Sequence, residues 1–209
     1  MKKLILILCV FLLTGCTVVR IDTESIDNIV NVVLSKDNKL FNQIGKGYKY
    51  YIPRGVNYLD TTELNNKLYS KGNFYYLYVD VISYYHNKKV EYKEDKNAYY
   101  SKAIDINGKT GYLEINKIGD KYFIEFMYNY AKIESLVAKQ DIEQVVLDAS
   151  YILSTIKFNN NVIKLMLNSE FFTNREEIYD IFTSKKETKN FLRYEDEEVE
   201  VIEEETNNE

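Results

Sequence analysis

The sequence predicts an α+β protein in which helices pack on an antiparallel meander. Two observations carry this prediction. From Tyr48 to Tyr130 apolar and polar residues alternate with a period of two, which is typical of strands. Before and after this region, apolar residues recur every three or four positions, which is typical of amphipathic helices. We therefore expect a single domain, with an α/β/α sandwich as an alternative arrangement of the same layers.

The first helix is predicted over residues 24–35, with Asp22 or Thr23 as its N-cap. Its apolar positions follow the helical period and form one stripe: Ile26, Ile29, Val30, Val33 and Leu34.

Three strands are then expected, over residues 48–52, 64–69 and 74–85. Pro53 ends the first, and a turn at residues 70–73 separates the other two. The segment 74–85 is apolar on both faces, which indicates a central strand covered on both sides. Residues 86–97 are polar and rich in lysine, so a loop is predicted there.

Two tight turns define the meander. Asn107-Gly108 suits a type I′ turn because both residues tolerate positive φ, and Gly119-Asp120 supplies the next turn. The strands of this meander are predicted over residues 99–106, 109–118 and 121–132.

A second helix is predicted over residues 141–156, where Asp141 and Gln144 have capping-box spacing. Periodicity does not decide between a strand and a helical turn over residues 162–168. A third helix is expected over residues 173–184, capped by Thr173 and Glu176.

The amino terminus resembles the signal and lipobox of a bacterial lipoprotein. Lys2 and Lys3 precede ten apolar residues, 4–13, and Leu13-Thr14-Gly15-Cys16 follows. Ten apolar residues are too few to span a bilayer, which needs about 20. The resemblance implies that residues 1–15 are a signal peptide and that Cys16 becomes the lipidated first residue. An ordinary secretory signal that happens to contain Cys16 is the alternative.

Charge is distributed unevenly along the chain. Its net charge is −5, and residues 195–209 contain nine acidic residues and no basic one. We expect residues 16–23 to be a tether, 24–192 the α+β domain and 193–209 a disordered acidic tail. The body lacks the clustered basic composition of nucleic-acid-binding proteins, so no nucleic acid is expected as a partner.

The predicted domain also bears a looser resemblance. Tyr51-Ile52-Pro53 ending an early strand, long tyrosine-rich strands and a late helix running into residues 152–158 are similar to the PsbP/Mog1-like α/β/α family. The resemblance covers about residues 40–160. It implies a binding or assembly module, and it transfers no site residues, because the family has no shared catalytic motif.

Several chemistries lack the residues that they need. His86 is the only histidine, which excludes a His-rich zinc site, and no serine lies in a nucleophile-elbow pattern. We expect His86 to be a solvated residue at a strand end. Neither Gly45-Lys46-Gly47 nor Asn107-Gly108-Lys109 completes a phosphate-binding loop. No metal or cofactor is predicted.

One constellation follows from the register that the two turns impose. Glu114 is predicted to lie directly opposite Glu125, with Ser101 beside Glu114. Like charges in this position are unfavourable unless a cation, a lysine or a shared proton offsets them. Two carboxylates and a hydroxyl could act as an acid/base pair or bind Ca²⁺. Two solvent-screened glutamates on a polar sheet face are the favoured interpretation.

Tyrosine is concentrated in the strands, where 17 of the 20 tyrosines lie between residues 48 and 130. Tyrosine is favoured in strands, so a structural role explains much of this concentration. An exposed row would suit a peptide or a glycan. The candidates for such a row are Tyr76, Tyr78, Tyr84, Tyr99 and Tyr112.

The sequence therefore predicts a lipid-anchored protein on the extracytoplasmic face of the cell membrane. The expected function is non-enzymatic binding or assembly in the cell envelope, with an envelope protein or glycan as partner. The alternative is a cell-envelope hydrolase or cation-binding protein that uses Glu114 and Glu125. An importer's receptor is disfavoured, because the chain is short for two lobes that close on a ligand.

Overall fold

A computed structural model describes residues 25–62, 64–167 and 184, and the predicted α+β class is confirmed. Four α-helices lie in the described part of the chain: α1 (Ile26–Leu34), α2 (Val81–Tyr85), α3 (Ile142–Ser154) and α4 (Asn160–Leu167). The strands are β1 (Gln43–Gly45), β2 (Tyr48–Tyr50), β3 (Asn57–Thr62), β4 (Asn65–Ser70), β5 (Asn73–Val79), β6 (Tyr100–Ile106), β7 (Lys109–Ile118), β8 (Lys121–Tyr128), β9 (Ala131–Val137) and β10 (Lys157–Phe158).

Seven of these strands form one antiparallel sheet in the order β3-β4-β5-β9-β8-β7-β6. The last strand of the meander, β9, is inserted between β8 and β5. It therefore joins the β3–β5 segment to the β6–β8 segment. The remaining strands form a small antiparallel sheet in the order β1-β2-β10.

One face of the large sheet is covered by helices. α3 lies over β8 and β9, and α1 packs against α3. A row of residues crosses this face of the sheet, and its central members are fully buried: Leu77, Ile133, Phe126 and Leu113. This apolar row and the buried faces of the two helices form the core.

The predicted register of the meander is confirmed. Asn107 and Gly108 both have positive φ, at 55° and 70°, as a type I′ turn requires. The pairs Ser101–Glu114 and Glu114–Glu125 lie directly opposite each other.

The predicted strand over residues 121–132 is wrong at its end. A second type I′ turn at Asn129 and Tyr130, with φ of 52° and 61°, divides it and begins β9. Asn129 donates a hydrogen bond from its side chain to the Ile156 carbonyl at 3.3 Å, and the Tyr130 carbonyl accepts one from the Asp80 amide at 2.9 Å. These contacts hold a tyrosine in a conformation that the sequence alone does not suggest.

The predicted strand over residues 74–85 is also too long. Asp80 ends it, because its carboxylate accepts a hydrogen bond from the Ser83 amide at 2.7 Å and caps α2. β5 is an interior strand, as its apolar pattern predicts, but it is not covered on both sides along its whole length, because Phe74 is 42% exposed. β1, β3 and β10 were not predicted.

Two of the predicted helix caps are wrong. Ser25, rather than Asp22 or Thr23, caps α1, by accepting a hydrogen bond from the Asn28 amide at 3.3 Å. Asp141 makes no side-chain capping bond, because a 3₁₀ turn at Lys139–Asp141 leads into α3. Residues 160–167 form α4, which settles the undecided segment as helical. The predicted signal, tether, third helix and acidic tail lie outside the described residues, apart from Ser184.

Candidate functional site

The face of the large sheet opposite α1 and α3 contains a row of ionisable residues. Glu114 on β7, Glu125 on β8 and Glu134 on β9 occupy three consecutive positions across the sheet. The same row begins at Ser101 on β6 and continues past Glu134 to Tyr76 on β5. We call the three glutamates, together with Lys132, the buried ionic cluster.

Lys132 provides the positive charge of this cluster. Its Nζ lies 2.6 Å from Glu125 Oε1 and 3.1 Å from Glu134 Oε1. The side chains of all three residues have no exposed surface. Burial by itself lowers the pKa of a lysine, but here the carboxylates of Glu125 and Glu134 outweigh it and raise the pKa of Lys132 above its usual range. Lys132 is therefore charged in the folded protein.

Glu114 is held by hydrogen bonds from neighbouring side chains. The Tyr92 hydroxyl donates to Glu114 Oε2, and Asn116 Nδ2 donates to Oε1 at 2.7 Å. Ser101 Oγ lies 2.7 Å from the Tyr92 hydroxyl and accepts a bond from the Asp95 amide at 2.8 Å. These contacts attach the loop that follows α2 to the outer strands of the sheet.

Two parts of the chain cover the cluster. The Tyr92 ring stacks on the Tyr112 ring, with centroids 4.3 Å apart and an angle of 8° between the ring planes. Ser184 donates a hydrogen bond to Glu125 Oε2 at 2.8 Å. Burial raises the pKa of both tyrosines, and the bond to Glu114 raises that of Tyr92 further, so both hydroxyls stay protonated near neutral pH.

The solvated glutamate pair expected from the sequence is therefore wrong, although its register is correct. Glu114 is 2% exposed and Glu125 is 0% exposed. The expected loop over residues 86–97 exists, but Tyr92 folds back from it onto the sheet. Of the three ways of offsetting the like charges, namely a cation, a lysine or a shared proton, the described residues show a lysine: Lys132 contacts Glu125. Within residues 25–62, 64–167 and 184, no group of three or more acidic, histidine or cysteine side chains has the arrangement of a metal site.

The exposed tyrosine row is also wrong. Tyr112 and Tyr78 are buried, and Tyr76 and Tyr84 are partly buried. The Tyr84 ring stacks on Phe158, with centroids 3.8 Å apart, because residues 81–85 form α2 instead of continuing the strand. Tyr99 alone of the five candidates is exposed. His86 is exposed, as predicted, but it lies at the end of α2 and not of a strand.

A smaller aromatic surface lies where the ionic row meets β5 and β4. Phe74 is 42% exposed, and its ring lies 5.2 Å from that of Tyr69 and 6.5 Å from that of Tyr76. Lys67 Nζ lies 5.3 Å from the Phe74 ring centroid and 5.8 Å from that of Tyr76. We call these four residues the aromatic surface.

Two clefts lie away from the buried ionic cluster. A groove of about 560 Å³ runs between the small sheet and the start of α4, and its walls include Phe41, Ile44 and Val162. A second cleft of about 310 Å³ lies beside Pro53, between the strands of the small sheet and β3. Neither cleft includes Glu114 or Glu125 among its walls.

Sequence reasoning missed Lys132, Glu134, Tyr92 and Asn116. The signal for the first two was present. A two-residue turn at Asn129-Tyr130 places Glu125 opposite Glu134, and the alternation of Ile133, Ser135 and Val137 with Lys132, Glu134 and Leu136 indicates a separate strand. Nothing near Tyr92 in the sequence indicates its contact with Glu114, because the two residues are 22 positions apart.

Comparisons of the chain with protein-family models, curated proteins and solved structures found no match. In the described part of the chain, no helix is both long enough and apolar enough to cross a membrane.

Proposed function

We propose that this chain is a lipid-anchored protein of the extracytoplasmic membrane face that acts as a binding or assembly module. The observation that carries the proposal is Leu13-Thr14-Gly15-Cys16, which begins at the last of ten apolar residues that follow a charged start. Two acyl chains on Cys16 would give stable anchoring, because a single chain binds membranes only marginally, with an association constant of about 10⁴ M⁻¹.

The aromatic surface supports the binding part of the proposal. Tyrosine and phenylalanine provide large, rigid contact areas at a low entropic cost, and Lys67 adds a cation beside them. Phe74 is an exposed aromatic residue on a strand whose neighbours hold it in place from both sides. A protein or glycan partner with an apolar or aromatic face fits this surface.

The hydrolase or cation-binding alternative has less support. Glu114 and Glu125 accept hydrogen bonds from Tyr92, Asn116 and Ser184, and Glu125 also contacts Lys132. A substrate would reach these carboxylates only after Tyr92 and Ser184 had moved away.

Mass spectrometry of the mature protein tests the anchor. We expect an amino terminus at Cys16 that carries a diacylglyceryl group, and we expect the Cys16→Ser variant to lose it. An unmodified Cys16, or a chain recovered with residues 1–15 still attached, would overturn the anchoring proposal.

Photo-crosslinking in living cells tests the binding surface. A photoreactive residue at position 74 should give a discrete adduct, whereas the same residue at Lys117, an exposed position on β7, should not. Adducts of equal yield at both positions, or at neither, would contradict a binding role for the aromatic surface.

A further inference from the structure

Five apolar side chains are exposed around the groove between the small sheet and α4. Ile44 on β1 is 79% exposed, and Leu165 on α4 is 70% exposed. Phe41, Ile44 and Val162 line the groove itself, Leu40 precedes Phe41, and Leu165 lies three residues after Val162 on the same helix face. Exposed apolar residues are ordinary when scattered, but a contiguous group marks an interaction site.

Two long stretches of chain that contribute residues to this groove contain no acidic residue. Residues 38–59 and 149–169 contain no Asp or Glu, although the chain has 32 of them among its 209 residues. The two segments contain six basic residues: Lys39, Lys46, Lys49, Arg54, Lys157 and Lys164. This concentration of positive charge contrasts with the net charge of −5 of the chain.

Two of these lysines face each other across the small sheet. Lys49 on β2 lies directly opposite Lys157 on β10, and Ile44 on β1 is the next residue in the same row. Lys49 Nζ lies 4.0 Å from the centroid of the Phe41 ring, so one ammonium group sits beside an exposed aromatic face. Asp37 lies at the edge of the region, where its carboxylate is 3.9 Å from both Lys39 Nζ and Lys157 Nζ and offsets part of their charge. Directly opposed like charges are unfavourable in a sheet unless an anion offsets them.

We propose that this basic apolar surface lies on an anionic lipid bilayer. The five apolar side chains are suited to the boundary between headgroups and acyl chains, and the lysines to anionic headgroups. This inference rests on the proposed anchor, because the anchor keeps the domain at the membrane. Nine residue steps separate Cys16 from Ser25 and span at most about 32 Å. Because α1 is only roughly 14 Å long, this reach allows the surface beyond the end of α1 to lie on the membrane. The surface begins at Leu40, six residues after α1 ends.

Tryptophan fluorescence provides a direct test, because the chain contains no tryptophan. The mature lipidated protein is reconstituted into vesicles of phosphatidylcholine and phosphatidylglycerol that contain brominated acyl chains. Single reporters are introduced as Ile44→Trp and Leu165→Trp. The matched control is Tyr99→Trp, at an exposed position just before β6. The other end of β6 leads into the Asn107–Gly108 turn, and Asn107 contacts the end of α1.

Bromine should quench the reporters at positions 44 and 165 and shift their emission to the blue, and it should leave the reporter at position 99 unchanged. The quenching should weaken in vesicles of phosphatidylcholine alone. Equal quenching at all three positions, or none at positions 44 and 165, would overturn the proposal. A blue shift that appears only when envelope proteins are added, without bromine quenching, would assign the surface to a protein partner instead.

Charge variants test the contribution of the lysines. For unlipidated chain added to vesicles, Lys49→Gln combined with Lys164→Gln should weaken partitioning into phosphatidylglycerol vesicles by roughly 10- to 30-fold at low salt. The matched pair Lys117→Gln and Lys121→Gln, on exposed positions of β7 and β8, should change it less than about twofold. Equal effects of the two pairs would contradict the proposed orientation.

This design separates failure of the surface from failure of the anchor. Mass spectrometry reports the state of Cys16 independently of fluorescence. A lipidated chain whose reporters are not quenched retains the anchor and refutes the surface. An unmodified chain whose reporters are quenched on added vesicles refutes the anchor and retains the surface.

Discussion

The two faces of the seven-stranded sheet place neighbouring residues of the same strands in opposite chemical environments. On the face covered by α1 and α3, the central row is Leu77, Ile133, Phe126 and Leu113. The adjacent residues of the same strands lie on the other face and form the row Tyr76, Glu134, Glu125 and Glu114. Both rows are largely excluded from water. The apolar row is stabilised by packing alone, whereas each member of the ionic row depends on a particular partner.

This difference makes the ionic row the more sensitive of the two to loss of a single partner. A truncated apolar side chain leaves a cavity whose cost depends on how far the neighbours relax. A removed ion leaves the opposite charge buried without compensation, which costs several kcal/mol.

The largest effect is expected from Lys132→Met, which retains the length of the side chain and removes its charge. Because Glu125 and Glu134 then lose the ammonium that both contact, the free energy of unfolding should fall by about 4 kcal/mol. Urea unfolding at pH 7 measures it. Lys117→Met, at an exposed position, is the control and should change it by less than about 0.5 kcal/mol.

A double-mutant cycle with Glu125→Gln sharpens this comparison. The two substitutions together should cost clearly less than the sum of their separate effects, since each removes the buried charge that the other leaves without its opposite charge. Strict additivity would mean that Lys132 and Glu125 do not stabilise each other.

A smaller loss, of about 3 kcal/mol, is expected from Leu113→Ala on the apolar face. Leu113 is fully buried, and it adjoins Glu114 in sequence, so the comparison is made on one strand. The same urea experiment applies. A loss larger than that of Lys132→Met would reverse the ranking of the two faces.

Tyr92→Phe should cost about 2 kcal/mol, because it removes the hydroxyl that donates to the buried Glu114 while keeping the ring that stacks on Tyr112. Tyr99→Phe is the matched control, at an exposed tyrosine, and should be nearly neutral. Hydrogen exchange of residues 87–99 should accelerate in Tyr92→Phe alone. Unchanged exchange would mean that this contact does not hold the loop.

The smallest effect is expected at the exposed ion pair between Asp27 on α1 and Lys102 on β6. The hydrogen bond from Lys102 lowers the pKa of Asp27 below its usual value, burial opposes it in part, and a hydrogen bond from Tyr100 lowers the pKa further. The stabilisation is therefore complete above about pH 4 and is lost as the pH falls through the lowered pKa. Asp27→Asn should cost a few tenths of a kcal/mol at pH 7. The difference in free energy of unfolding between the unsubstituted protein and Asp27→Asn should vanish near pH 2. A difference that grew on acidification would contradict a lowered pKa of Asp27.

The sequence was sufficient where local geometry decides the structure. Asn107-Gly108 and Gly119-Asp120 are two-residue turns, so they set the register that places Glu114 opposite Glu125. It was insufficient where tertiary contacts overrule local preference. Tyr130 adopts positive φ because contacts from Asp80 and neighbouring rings hold it there, so β9 was missed, and Lys132 and Glu134 with it.

The environment of the carboxylates was beyond sequence analysis for a different reason. A polar sheet face is ordinarily solvated, and a loop rich in lysine is ordinarily exposed. Only the folded chain brings Tyr92 and Ser184 over Glu114 and Glu125, from 22 and 59 positions away. The exposed tyrosine row failed similarly, because strand periodicity assigns a side chain to a face but does not say what covers that face.

The position of β9 also affects how the sheet is completed during synthesis. β5 gains its second neighbour only from β9, so Tyr76 pairs with Glu134, which lies 58 positions later in the chain. A polypeptide that emerges amino terminus first keeps one edge of β5 without its native strand until residues 131–137 follow. Unpaired strand edges are the places where chains associate wrongly, so this interval is when the nascent protein most needs a chaperone.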